Sequence, residues 1–225
     1  MDNITIDPIS HASLILEWGG IVMYSDPVDQ TKGSIFARKP APDIILITDI
    51  HHDHFDVDVL QSVVKEKTTI FAPKAVVDLL PDSLKGKTHI LNNGDVAECL
   101  GLKFEAIPMY NLSGPSEHFH TKGRGNGYVI EKEHESVYIS GDTAGIPEMK
   151  NLKNIDLAFI CINLPYTMDP EEAAQAVLAF KPKKVYPYHY RQNPTKDFAD
   201  VAKFKQLVNT GDPAIEVVQL DWYPE

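Results

Sequence analysis

The feature that most constrains this chain is an abrupt change of character after Ile44-Ile45-Leu46-Ile47, four apolar residues followed at once by Thr48-Asp49-Ile50-His51-His52-Asp53-His54. The run is too short for a helix and rich in β-branched side chains, so it reads as a strand buried on both faces. The loop it delivers holds three histidines and two aspartates in seven residues. Imidazole and carboxylate are nitrogen and oxygen ligands for Zn, Fe and Mn, and a loop leaving a rigid strand aims alternate side chains at one point. A merely solvated polar loop would not explain why other strands of the chain end the same way.

Three of those later strands are predicted in the second half. Val137 to Ser140 ends at Gly141-Asp142-Thr143, Leu157 to Ile162 at Asn163, and Val185 to Tyr188 at His189. Ligand sites in α/β sheets collect at such strand ends, so the ends carrying Asp142 and His189, with that of the first strand, are expected to share one rim.

The remaining pattern alternates strands and helices. Asn3 to Ile9, Ala12 to Glu17 and Ile21 to Ser25 read as a β-meander closed by Asp26-Pro27. Helical spacing begins at Asp56, a capping residue, with Val59, Leu60, Val63 and Val64 on one face. Thr68 to Ala72 is expected as a strand and Lys74 to Leu80 as a short helix. Strands come next around His89, Val96 and Leu102 to Ile107, with a turn at Asn93-Gly94, and another spans Tyr128 to Glu131. Asp169-Pro170 starts a helix whose Ala174, Val177 and Leu178 face the sheet. Another helix is predicted from Asp197 to Asn209, with Gly211 past its end, and a strand from Ile215 to Leu220.

These 225 residues suffice for one core, and a single domain over 1–225 is expected. With 43% hydrophobic and 24% charged residues the composition is that of an ordinary globular chain. No apolar run nears the roughly 20 residues of a spanning helix, and MDNITIDPIS lacks a signal-peptide layout, so a cytoplasmic location without membrane attachment is expected. The net charge of −11 opposes nucleic-acid binding and leaves a small-molecule substrate as the expected partner. Cys99 and Cys161 fit two reduced thiols.

On these residues the chain resembles the metallo-β-lactamase superfamily, and within it the small single-domain hydrolases of the ascorbate-lactonase-like group. The motif from Asp49 to His54, a later single histidine, Gly141-Asp142-Thr143 and Pro187-Tyr188-His189 carry the resemblance, joined by Ile9-Ser10-His11-Ala12-Ser13 and Thr167-Met168. It implies a four-layer αββα sandwich of α/β class and two divalent metal ions. By the family pattern Asp49, His51 and His120 hold one ion, Asp53, His54 and His189 the other, and Asp142 bridges them. His118 and Asn111 remain alternatives to His120, which is favoured because its spacing to an expected turn at Gly125-Asn126-Gly127 and the strand after it resembles the group's pattern. Most of the superfamily has histidine where this chain has Asp49. The extra carboxylate makes the ligand shell more negative, so Mn or Fe is expected to compete with Zn.

The resemblance further implies hydrolysis by a hydroxide held between the ions, with Asp53 and Asp142 as its catalytic carboxylates. The bond is expected to be a lactone, ester, amide or phosphodiester. His11, Asn111 and Arg191 are candidate substrate contacts, while His52, His89 and His134 need no role. No G-x-S-x-G elbow competes. The alternatives are a nuclease or cyclic-nucleotide phosphodiesterase, a di-iron protein reducing oxygen or NO, and a non-catalytic metal- or ligand-binding protein.

Overall fold

The computed structural model describes residues 4–29, 35–192 and 197–223. The chain divides into two compact units, one of residues 1–92 with 221–225 and one of residues 93–220.

The first unit holds a six-stranded sheet in sequence order. β1 (Ile4–Ser10), β2 (Ser13–Trp18) and β3 (Ile21–Ser25) form the expected antiparallel meander; Asn3 lies outside the described residues. β4 (Ile44–Leu46), β5 (Thr69–Ala72) and β6 (Thr88–Ile90) then add in parallel beside β3. A parallel addition requires a crossover. A 3-10 turn at Ile35–Arg38 lies in the first, α1 (Val57–Val63) forms the second, and α2 (Lys74–Val77) with α3 (Asp82–Lys85) the third.

Asp56 caps α1 as its position predicts, accepting from the Asp58 and Val59 amides. The helix expected over Lys74 to Leu80 stops at Val77 and tightens into turns, the Leu79 and Leu80 amides donating to the Val76 and Val77 carbonyls, and a second short helix starts beyond Pro81. One core cluster joins alternate strand residues Ile45, Ile47, Ile70 and Ala72 to Leu60, Val63, Val76 and Leu84 of the helices. Ile44 and Leu46, on the opposite face, are equally buried, so β4 is the doubly buried strand its composition predicts.

The second unit repeats this logic with seven strands. β7 (Val96–Cys99), β8 (Leu102–Met109), β9 (Gly125–Lys132) and β10 (Glu135–Ile139) are antiparallel. β11 (Leu157–Cys161), β12 (Lys184–Tyr188) and β13 (Glu216–Val217) continue the sheet in parallel. Their crossovers contain α4 (Pro147–Lys150), α5 (Pro170–Phe180) and α6 (Val201–Gly211).

Gly125-Asn126-Gly127, expected as a turn, is instead the start of β9, paired with Ile107 to Met109. Glycine serves close approach here: a Cβ on Gly127 would stand 2.8 Å from the Ser140 carbonyl oxygen and 2.9 Å from that of Ile139. α5 starts as predicted, with Asp169 accepting from the Glu172 amide. Leu178 leans toward α6, against Gly211, which is the helix's last residue rather than lying beyond it. α6 begins at Val201 because Asp200 caps it through the Lys203 amide, four residues later than expected. Among the described residues no helix is long and apolar enough to cross a membrane.

Candidate metal centre

In the first unit the loop after β4 is wound tightly, the amides of His54 and Phe55 both donating to the His51 carbonyl at 2.9 Å. Asp49 and His54 are fully buried, Asp53 and His51 partly so, and His52 is exposed as its place in the motif suggests. Asp49 Oδ2 lies 2.8 Å from His51 Nδ1. Asp53 stands between two rings, Oδ1 4.0 Å from His54 Nε2 and Oδ2 3.4 Å from His11 Nε2.

The anchor of this loop is Asp26, at the end of β3 with a left-handed backbone (φ 44°). One of its oxygens accepts from the Thr48 amide (2.7 Å); the other accepts from the Thr48 hydroxyl (2.6 Å) and holds His54 Nδ1 at 2.8 Å. Ser13 in turn donates to the Asp26 carbonyl. Burial pushes the Asp26 carboxyl above the usual carboxylate range, opposed by His54 and the Thr48 bonds, which favour the charged form. With Nδ1 committed to Asp26, the nitrogen His54 turns toward Asp53 is Nε2.

The second unit assembles its polar residues from separate strand ends. Asp142 follows β10 and His189 follows β12, both buried, and Gly141 donates its amide to the Tyr188 hydroxyl (3.0 Å), tying the two ends together. Thr143 Oγ1 donates to the Tyr110 carbonyl (3.1 Å) and accepts from the Tyr110 amide (3.2 Å), joining the Asp142 loop to the end of β8. Beyond Tyr110 the connection to β9 brings in His120, which is 2% exposed, whereas His118 is exposed, its ring tilted against that of Phe119. The structure thus buries the histidine that the family pattern favours and exposes its alternative.

Both buried rings of this unit share one orientation. His120 Nδ1 faces the Tyr166 carbonyl at 3.2 Å, and His189 Nδ1 donates to the Asn163 side-chain oxygen at 2.8 Å while the Asn163 amide donates to the Arg191 carbonyl. Their Nε2 atoms each stand 3.4 Å from Asp142, His120 from Oδ2 and His189 from Oδ1. Metal-binding histidines characteristically have the second ring nitrogen held by an oxygen acceptor, which fixes the tautomer and directs the other nitrogen's lone pair to the ion. Buried carboxylates and rings so oriented are a donor set that suits a divalent cation.

Asn111 is buried, and its amide nitrogen donates to the Ser116 and Tyr166 carbonyls (2.7 Å each) while its backbone amide donates to the His120 carbonyl, so it braces the loop carrying His120. Arg191 is half-buried with its guanidinium 5.6 Å above the Phe198 ring. Cys161 lies beside this group, and burial together with the nearby Asp142 carboxylate pushes its thiol up to about 12.

Comparison with known proteins gives the family. The family model described as the beta-lactamase superfamily domain matches residues 5–189. The chain belongs to the β-lactamase superfamily. Within that superfamily it is 36% identical over 180 residues, 78% of each chain, to a UPF0173 metal-dependent hydrolase of Thermococcus onnurineus. A structure from Parabacteroides distasonis, designated a metal-dependent hydrolase, is 37% identical with a TM-score of 0.86, covering 98% of this chain and 94% of that one. The metallo hydrolase Igni18 from Ignicoccus hospitalis is 25% identical with a TM-score of 0.79, covering 96% and 94%. The fold is therefore the superfamily's α/β fold.

Asp26, Asn163 and Tyr223 do not stand out as site residues in the sequence. Asp26 and Asn163 are visible only as polar residues at a strand end or in a turn, and the pattern does not say which ring nitrogen such a residue holds. Tyr223, whose hydroxyl lies 2.8 Å from His11 Nδ1, has no sequence signal at all.

Proposed function

We propose that this metal-dependent hydrolase carries two divalent ions and uses them to cleave a lactone, ester, amide or phosphodiester bond in a small molecule. The single observation that carries the reading is the shared orientation of His54, His120 and His189, each with Nδ1 held by an oxygen and Nε2 turned toward an aspartate. Asp49, His51 and His120 would hold one ion, Asp53, His54 and His189 the other, with Asp142 serving both.

Divalent cations held by these residues would lower the pKa of water toward neutrality and polarise the oxygen of the bond to be cleaved. The chain's own residues prepare that chemistry. Asp26 and Asn163 keep the protons of His54 and His189 on Nδ1, leaving Nε2 as the basic atom. Asp53, with one oxygen toward His54 and the other toward His11, is placed to orient a water as well as to bind. Three aspartates in the ligand set favour Mn or Fe alongside Zn.

The net charge of −11 supports a small-molecule substrate over a nucleic acid. The test is a hydrolysis screen with Zn-, Mn- and Fe-loaded protein against lactones, esters, amides, cyclic nucleotides and RNA. Turnover of a small ester-like substrate, lost on chelation and restored by metal, is expected. Turnover of RNA alone, or none with any substrate, would overturn the reading.

A further inference from the structure

We infer that His11 is a metal ligand, sharing an ion with Asp53, and that Tyr223 sets the tautomer that makes it one. The inference rests on the metal-hydrolase reading above and adds a donor to its ligand set.

The histidine contacts sort by distance. Nδ1 stands at hydrogen-bonding distance from an oxygen in His54 (Asp26), His189 (Asn163) and His11 (Tyr223 hydroxyl), 2.8 Å in each case. Nε2 stands 3.4 Å from a carboxylate oxygen in His120 and His189 (Asp142) and again in His11 (Asp53). Bonds of the N–H···O type cluster at about 2.7–3.2 Å. Two nitrogen or oxygen donors about 2.05 Å from one tetrahedral ion stand about 3.4 Å apart. The His11–Asp53 pair therefore has the separation of two ligands rather than that of a donor and its acceptor, and it matches the pairs that His120 and His189 form with Asp142; of the other pairs the family pattern assigns to metal, Asp53–His54 is wider at 4.0 Å and Asp49–His51 closer at 2.8 Å.

The backbone and the 221–223 segment hold His11 in this pose. The residue sits in the turn between β1 and β2 with φ 53°, a conformation that non-glycine residues keep only when their surroundings impose it. The His11 amide donates to the Trp222 carbonyl at 3.4 Å, Trp222 is fully buried, and the Tyr223 ring lies 5.9 Å from the imidazole. A tyrosine hydroxyl accepting from Nδ1–H leaves the lone pair on Nε2, as Asp26 does for His54. A hydroxyl donating to Nδ1 would instead put the proton on Nε2 and make His11 a hydrogen-bond donor to Asp53. Tyr223 is thus a positioning residue, and the proton's place on His11 distinguishes the two arrangements.

The experiment loads wild-type protein, His11→Asn and Tyr223→Phe with Co(II) and Zn(II). Asparagine tolerates the left-handed backbone, and circular dichroism checks the fold. The expected result is that His11→Asn weakens one of the bound ions at least 100-fold and alters the Co(II) visible spectrum. Tyr223→Phe should weaken the same ion roughly 10-fold. In Zn-loaded wild type, nitrogen-15 correlation spectra should show His11 protonated at Nδ1 and bare at Nε2. A proton on Nε2, or wild-type affinity and spectrum in His11→Asn, would overturn the inference while leaving the hydrolase reading intact. Wild-type protein that binds no metal would instead overturn that reading, and the inference with it. Should His11→Asn fail to fold, the spectra and Tyr223→Phe decide the matter.

Discussion

The two units are built alike and equip themselves differently. Each has an antiparallel meander continued by parallel strands with helical crossovers. The first places four of its candidate ligands on one seven-residue loop and hangs that loop on a single carboxylate, Asp26. The second draws His120, Asp142 and His189 from three places and supports them separately, through the Tyr166 carbonyl, the Tyr188 hydroxyl and Asn163. A clustered motif concentrates dependence on one support, whereas a dispersed one spreads it.

That contrast can be broken by substitution. Asp26→Ala should have the largest effect, since it strands the Thr48 amide and hydroxyl and the His54 ring in a buried place. It is expected to cost roughly 3 kcal/mol of stability in denaturant unfolding and about 100-fold in metal affinity. Asn163→Ala, removing one of several supports, should lower metal affinity only about 10-fold by competition titration. Equal losses in the two variants would contradict the contrast. Tyr188→Phe removes the bond from the Gly141 amide and should cost about 1 kcal/mol, read from the same unfolding curves.

The smallest effect concerns Cys161. Its raised thiol keeps its proton in the folded state where the unfolded one releases it, so it contributes a fall in stability as pH rises from 9.0 toward about 12, and a Cys161→Ala variant should show a shallower decline than wild type, the rest coming from buried groups such as Tyr24 and Tyr138 that are also raised. Iodoacetamide at pH 8 should accordingly label the half-exposed Cys99 and spare Cys161 in native protein. Labelling of both at equal rates would show the second unit's strand ends to be open.

The same contrast governs what can be read from sequence. The first unit's loop announces itself, because density of ligand types over seven residues is a local property, and the doubly buried β4 before it is equally local. The second unit's strand ends are legible one by one, at Asp142 and His189, but their mutual ties through Tyr188 and Thr143 link residues up to 47 positions apart and leave no periodic trace. His120 can be preferred to His118 only by resemblance; the structure buries the one and exposes the other. Gly125 to Gly127 mislead because glycine pairs usually signal turns, whereas here a neighbouring strand's carbonyls leave no room for a Cβ. Asp26 reads as closing a turn. Its second duty, holding His54, depends on a contact across 28 positions that no spacing rule encodes.

The most direct test of a metal-dependent hydrolase built on this donor set is the metal content of protein purified under native conditions, set beside that of Asp142→Ala, with hydrolysis measured on both. Two divalent ions per wild-type chain are predicted, with the joint loss of metal and turnover in the variant. Undiminished turnover after complete chelation, or an Asp142→Ala protein that keeps both its ions and its activity, would contradict it.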